Sequence, residues 1–228
     1  MKTLIGIIGI SALLCCTGFS YGEEAAKQIF SGQMTEPATN LTVADLPDNI
    51  KAGLLLMREE EKLAHDLYAA FAEMYELPIF GNIAASEANH TAAVLRLLQQ
   101  YGLEDPALTG KGEFRNKKLQ QAYNQLLDSG SESLVAALKN GAYVEELDIL
   151  DLEEQLKQVE DDSIRRVYSN LLRASYNHLR AFNRVLDRNG VDYNPQLLSV
   201  KSFDEIVSAD NECGHHGRKG RHGKSCKK

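Results

Sequence analysis

A chain of 228 residues with 43% apolar and 25% charged residues has enough apolar material for a buried core and lacks the polar bias of a disordered protein. Its net charge of −7 conceals a basic tail: residues 211–228 hold six Lys/Arg against one Glu, and this +5 leaves −12 on residues 1–210. An acidic body excludes nucleic acid as the expected partner, because phosphate recognition needs clustered Lys and Arg.

Residues 1–22 (MKTLIGIIGISALLCCTGFSYG) have the layout of a secretory signal. Lys2 supplies a basic start, Leu4 to Leu14 an apolar run too short to span a bilayer, and Ser20-Tyr21-Gly22 a small-x-small cleavage site. The expectation is an exported protein, periplasmic or secreted, cleaved near Gly22 and without a transmembrane segment in its mature form. Ala12-Leu13-Leu14 before Cys15-Cys16 make a poor lipidation site. After cleavage only Cys213 and Cys226 remain, so no disulfide framework lies within the folded part and packing must hold it together. Residues 23–47 mix small, polar and Pro residues and read as an extended leader.

The folded domain is placed at 48–190. Its first helix starts after Pro47-Asp48-Asn49 and carries the stripe Ile50, Leu54, Met57, Glu61, Ala64, Tyr68, Phe71, Tyr75, whose alternating spacing of four and three keeps one face together. Pro78 and Gly81 are expected to break it. A second helix from near Asn82 carries Phe80, Ile83, Glu87, His90, Val94, Leu97 and Tyr101, and Gly102 with Asp105-Pro106 stops it. After a Gly-rich loop at 108–113, a short amphipathic segment spans Leu119 to Leu127. The third long helix is expected from Ser131 to Val159 with a bend at Gly141, carrying Ala142, Glu145, Ile149, Leu152 and Leu156. The fourth follows the cap Asp161-Asp162-Ser163 with Ile164, Val167, Leu171, Ser175, His178, Phe182 and Val185. Residues 191–210 form a C-terminal extension with a short helix at Phe203 to Val207, and 211–228 a low-complexity Gly/His/Cys tail. Its two Cys and three His match no compact zinc spacing, so a disulfide or an unstructured tail is expected. The pattern predicts an all-α four-helix bundle, with a long connection between its second and third helices that contains the short extra one.

Each long stripe is interrupted near its middle by polar residues: Glu61; Glu87 with His90; Glu145; Ser175 with His178. A carboxylate pointed into a core must be compensated, and a transition metal can do so, since carboxylate and imidazole suit iron, manganese and zinc. Glu87 and His90, three apart, lie on adjacent turns of one face and can reach one centre. Outside the tail the chain has three His, and two of them occupy matching stations on the second and fourth long helices.

The run Glu61-Lys62-Leu63-Ala64-His65-Asp66-Leu67-Tyr68 resembles the Glu-x-x-Ala-x-x-x-Tyr of the first helix in ferritin-like proteins, and Ser86-Glu87-Ala88-Asn89-His90 resembles their second-helix Glu-x-x-His. More closely, MREEEKLAHDLY, FGNIAASEANH, VEELDILDL and NHLRAF resemble the DUF2202 family, over roughly residues 50–188. The resemblance implies a ferritin-like bundle with a di-metal carboxylate centre. It also exposes a departure: Ser175 stands where that plan has its second bridging Glu. Asp148, one turn beyond Glu145, is a candidate to supply the missing oxygen.

The leading expectation is therefore an exported bundle that binds one or two metal ions, iron first with manganese or zinc as alternatives, through Glu61, Glu87, His90, Glu145 and His178. Oxidase, ferroxidase or other redox activity is what such a centre implies, and Tyr68 or Tyr101 would donate hydrogen bonds to its ligands. Glu60 lies on a rival stripe with Leu56, Leu63 and Leu67, and Glu61 is preferred to it. The alternative is a metal-free exported bundle, a binding or structural module whose buried Glu and His form a hydrogen-bond network. There, Glu59-Glu60-Glu61 is simply an acidic surface beside Lys62. His65 and Asp66 are read as surface or helix-boundary residues. Oligomeric state and substrate stay open at this level.

Overall fold

The apolar stripes close into helices that pack as an all-α bundle. In the computed structural model, which describes residues 46–210, six helices occur among the described residues and no strand. They are α1 (Asp48–Tyr75), α2 (Pro78–Gln100), α3 (Lys117–Ser131), α4 (Leu134–Gln158), α5 (Asp162–Arg188) and α6 (Val200–Ser208). The signal, residues 23–45 of the leader and the tail assigned above lie outside the described residues; Leu46, also assigned to the leader, is buried in the core, and Pro47 stands at the start of α1. No helix among the described residues is long and apolar enough to cross a membrane.

Helix ends differ from expectation where local chemistry was misjudged. Pro78 does not break a helix but opens one, at the first turn of α2 where its missing N–H costs nothing. The turn before it is made by Glu76 at φ 48°, whose N–H caps α1 on the Ala72 carbonyl. Gly81 lies inside α2. The start of α4 is set by Ser133, whose side chain accepts from Ala136 N–H, and α5 begins at Asp161, which accepts from Ser163 and Ile164 N–H. Helix α4 runs uninterrupted through Gly141. Glycine is needed there because a Cβ would stand 2.5 Å from the Phe182 ring of α5. The short connecting helix, α3, is longer than the Leu119–Leu127 expected.

The core is in two parts. One apolar cluster includes Leu67, Tyr68, Phe71, Phe80, Ile83, Leu138 and Phe182, the other Leu54, Met57, Val94, Leu98, Leu152, Tyr168 and Leu171. Along α1, α2 and α5 the change from one cluster to the other falls at Glu61, at Glu87 with His90, and at Ser175 with His178. The polar stations thus form a layer between two apolar plugs that keep water from either end.

Several buried charges turn out to hold non-helical backbone. Glu59 accepts from Arg115 N–H (2.7 Å) and Asn116 N–H (3.2 Å). Lys62 donates to the Gly110 and Glu113 carbonyls and to Asp66, and lies over the Phe114 ring. Asp66 accepts from Gly112 N–H at 2.9 Å and is only 4% exposed, so the surface reading of this residue was wrong, while His65 beside it is half-buried. These contacts satisfy the connection between α2 and α3, whose backbone has no helix of its own to bond to.

At the other end of the chain Glu146 does the same. Fully buried on α4, it accepts from Tyr193 Oη–H and from the backbone N–H of Gln196, Leu197 and Leu198. Glu146→Ala would strand three backbone donors and is expected to cost on the order of 3–5 kcal/mol in denaturant unfolding, with faster amide exchange over residues 191–208. Unchanged stability would show that this contact does not fasten the extension.

Candidate metal centre

Each long helix delivers its polar residue to the same depth, and the five side chains singled out by spacing meet. Glu61, Glu87 and Glu145 are almost fully buried, with His90 and His178 slightly more open. Glu87 is at the middle. Its Oε2 lies 2.7 Å from His90 Nδ1, which is also 3.2 Å from Glu61 Oε2. Its Oε1 lies 2.8 Å from His178 Nδ1, which is 3.5 Å from Glu145 Oε2. Two sets result, Glu61–Glu87–His90 and Glu87–Glu145–His178, in each of which one ligand atom per residue lies within 4.8 Å of the others. They share one carboxylate, and the two imidazoles stack at 5.7 Å between centroids.

The electrostatics follow from packing five ionisable groups away from water. Burial, aided by the charge of Glu87, pushes the Glu61 carboxyl up to about 8 despite its bond to His90. Glu145 is raised too, chiefly by burial, against the pull of His178. Burial opposes charge on both imidazoles, but Glu61 and Glu87 together lift His90 to about 10, and Glu145 and Glu87 lift His178 to about 10. Burial also works against a charged Glu87, yet its contacts with His178 and His90 hold it well below the ordinary carboxylate range. Burial thus favours the neutral form of Glu61 and Glu145, while the contacts with both imidazoles favour the charged form of Glu87.

Two atoms are left over. Glu145 Oε2 and His178 Nδ1 are buried and make no aligned hydrogen bond among the described residues, although each has an oppositely charged atom within reach. A native core rarely tolerates such orphans. A buried carboxylate oxygen and an imidazole nitrogen that converge at 3.5 Å without an aligned hydrogen bond are donors of the kind a borderline cation takes, so the residues present fit a transition metal.

The other assignments resolve as follows. Glu60 belongs to neither set; it is half-buried and hydrogen-bonded to Asp151 of α4, and burial, then the charges of Asp151 and Glu61, raise its carboxyl well above the usual range. Ser175 is buried and its hydroxyl donates back to the Leu171 carbonyl at 3.2 Å. Asp148 is buried and raised well above its ordinary value by burial and then by Glu61, Glu145, Glu87 and Glu60, yet it belongs to neither set. Tyr68 donates to Glu145 Oε1 at 2.7 Å, as its place on the stripe suggested. Tyr101 does not: its hydroxyl donates to Asp161 Oδ1 at 2.7 Å, at the start of α5. Sequence reasoning missed Tyr168, a fully buried tyrosine of α5 whose hydroxyl has no hydrogen-bond partner among the described residues and whose ionisation is opposed by burial and then by the charges of Glu60 and Glu61. Its position seven residues before Ser175 on the same face was the available signal.

A helical bundle whose long helices converge on one buried carboxylate–imidazole layer is the class that fold and site define. The chain belongs to the DUF2202 family: the profile described as "Uncharacterized protein domain (DUF2202)" matches residues 50–210. It is similar to the uncharacterized protein MJ0754 of Methanocaldococcus jannaschii, 42% identical over 182 residues that cover 79% of this chain and 98% of that one. The crystal structure of hypothetical protein MJ0754 from Methanococcus jannaschii DSM 2661 matches with a TM-score of 0.72 and 40% identity, covering 80% of this chain and all of that one.

Proposed function

We propose that the protein holds one or two transition-metal ions, iron first, between Glu61, Glu87, His90, Glu145 and His178, in the manner of ferritin-like proteins. The observation that carries this reading is Glu87, whose two oxygens face two separate imidazole–carboxylate pairs. Bound iron supplies redox chemistry toward O₂, peroxide or further metal ions. The chain's own part is to exclude water with the two apolar plugs, to orient Glu145 through Tyr68, and to release protons from His90 Nδ1, His178 Nδ1 and Glu61 as a cation arrives. Ser175, whose hydroxyl is bonded to its own helix, supplies no second bridging carboxylate. Export of the mature chain belongs to the same reading and is supported by the pattern of residues 1–22.

Purified protein is expected to contain metal by elemental analysis. Adding Fe(II) or Mn(II) to stripped protein at about 100 times the dissociation constant should stabilise it by about 2.7 kcal/mol, or on the order of 5–10 °C in melting temperature. Absence of metal together with an unmoved melting curve would exclude the proposal. It would leave the second reading, favoured by the 2.7 Å contact of His90 with Glu87: a metal-free network that fixes helix register in a binding or structural module.

A further inference from the structure

The outer edges of both imidazoles point at a single atom. Ser86 Oγ lies 3.4 Å from His90 Nε2, one turn along α2, and 3.1 Å from His178 Nε2 across the bundle on α5. We propose that Ser86 is a positioning residue shared by both histidines, whose hydroxyl oxygen accepts the Nε2–H of each ring and so presents both Nδ1 atoms to the carboxylates. This inference rests on the metal-centre reading above.

Valence limits what one hydroxyl can do between two rings. A serine oxygen has one proton to give and two lone pairs to accept with. If the hydroxyl donated to either Nε2, that neutral ring would carry its proton on Nδ1. That proton would then lie on the side facing Glu87, 2.7 Å away for His90 and 2.8 Å for His178, and would occupy the nitrogen lone pair a cation needs. Accepting from both rings is the arrangement that frees both Nδ1 atoms, since the bond made by one ring nitrogen decides the state of the other. The geometry agrees: the rings lie 24° from parallel, with both Nε2 edges at Ser86 and both Nδ1 edges at Glu87. Ser86 and Glu87 are neighbours in sequence, so one turn of α2 holds both edges of both rings. Between Ala84, Ala85 and Ala88, Ser86 is the side chain able to do this.

Sharing yields a signature that a residue serving one histidine lacks. In the mature full-length protein, Ser86→Ala is expected to weaken Co(II) binding 10- to 100-fold at both sites together, with a changed Co(II) absorption spectrum, and Ser86→Thr is expected to restore both. Nitrogen-15 NMR of the metal-free proteins supplies an independent readout: the ring Nε2–H protons of His90 and His178 should both lose protection from solvent exchange in Ser86→Ala and regain it in Ser86→Thr. Wild-type affinity in the alanine variant, a loss confined to one site, or loss of exchange protection at one ring alone overturns the proposal. If wild-type protein takes up no Co(II), the metal-centre reading fails, and the exchange measurement alone decides the role of Ser86.

Discussion

Glu87→Ala is expected to abolish metal uptake at both positions, whereas Glu61→Ala and Glu145→Ala should each lower it without abolishing it. The difference follows from the connections. Glu61 reaches only the His90 side at 3.2 Å and Glu145 only the His178 side at 3.5 Å, while Glu87 touches both rings at 2.7 and 2.8 Å. Removing it leaves each set with one carboxylate and one imidazole, too few to hold a borderline cation against water. The same substitution weakens the metal-free fold. Two buried rings lifted to about 10 lose the counter-charge they share, and breaking a buried pair typically costs about 3–5 kcal/mol. Glu87→Gln, which keeps volume and one acceptor oxygen, separates the two effects: it should pack better than the alanine variant and still fail to bind. Elemental analysis with titration calorimetry reads stoichiometry, and denaturant unfolding of stripped protein reads the packing term. Full stoichiometry in Glu87→Ala would sink the shared-carboxylate assignment.

Metal affinity is expected to fall with acid, by about tenfold per pH unit for each proton displaced, because a cation entering the Glu61–Glu87–His90 set must displace the protons of Glu61 and His90, and one entering the Glu87–Glu145–His178 set that of His178. In the metal-free layer Glu61 holds its proton up to about 8, and His90 and His178 hold theirs to about 10. A cation in the first set competes with the protons of both Glu61 and His90 below pH 8 and with that of His90 alone between 8 and 10, and a cation in the second competes with that of His178 up to about 10. The metal-free fold has its own pH dependence. Glu61, raised from 4.5, binds its proton more tightly when folded, so its contribution to stability is lost as pH rises from 4.5 to about 8. The histidines, raised from 6.5, contribute stability that is complete below 6.5 and is lost as pH rises through about 10. Glu87 acts in the opposite sense, its contribution disappearing as pH falls below 4.5 toward its depressed value. The stripped protein should therefore melt at progressively lower temperature from about pH 5 to pH 10, and the gain on adding metal should be larger at pH 8 than at pH 6. Calorimetry in buffers of differing ionisation enthalpy counts the released protons directly; a count near zero would contradict the proton-for-cation exchange.

What could be read in advance depended on whether the partner was near in sequence. Glu87 and His90 are three residues apart, and Glu61, Glu145 and His178 interrupt long apolar stripes, so a helical period of 3.6 placed all five on inward faces. The run Glu59-Glu60-Glu61 shows where that stops. Consecutive helical residues point about 100° apart, so the three carboxylates had to diverge. That Glu59 meets Arg115 and Asn116 N–H and Glu60 meets Asp151 depended on which elements stood in those directions. Asp66 was misjudged for the same reason: its partner Gly112 is 46 residues away in a loop without periodicity. Tyr101 was placed by its stripe, but its hydroxyl lies a helix end away from the layer, on Asp161.

By itself the sequence determined the helical class, the approximate extent of the long helices and the depth at which each turns polar, because rise per residue and angular step are properties of a single helix. Only the tertiary structure decided that Glu87 is the carboxylate both imidazoles share, that Ser175 turns away, and that Ser86 lies behind both rings. Those relations depend on the distance and rotation of one helix against another. These are set by how Phe182 seats on Gly141 and how the two apolar plugs fill, and no spacing within a single helix encodes them.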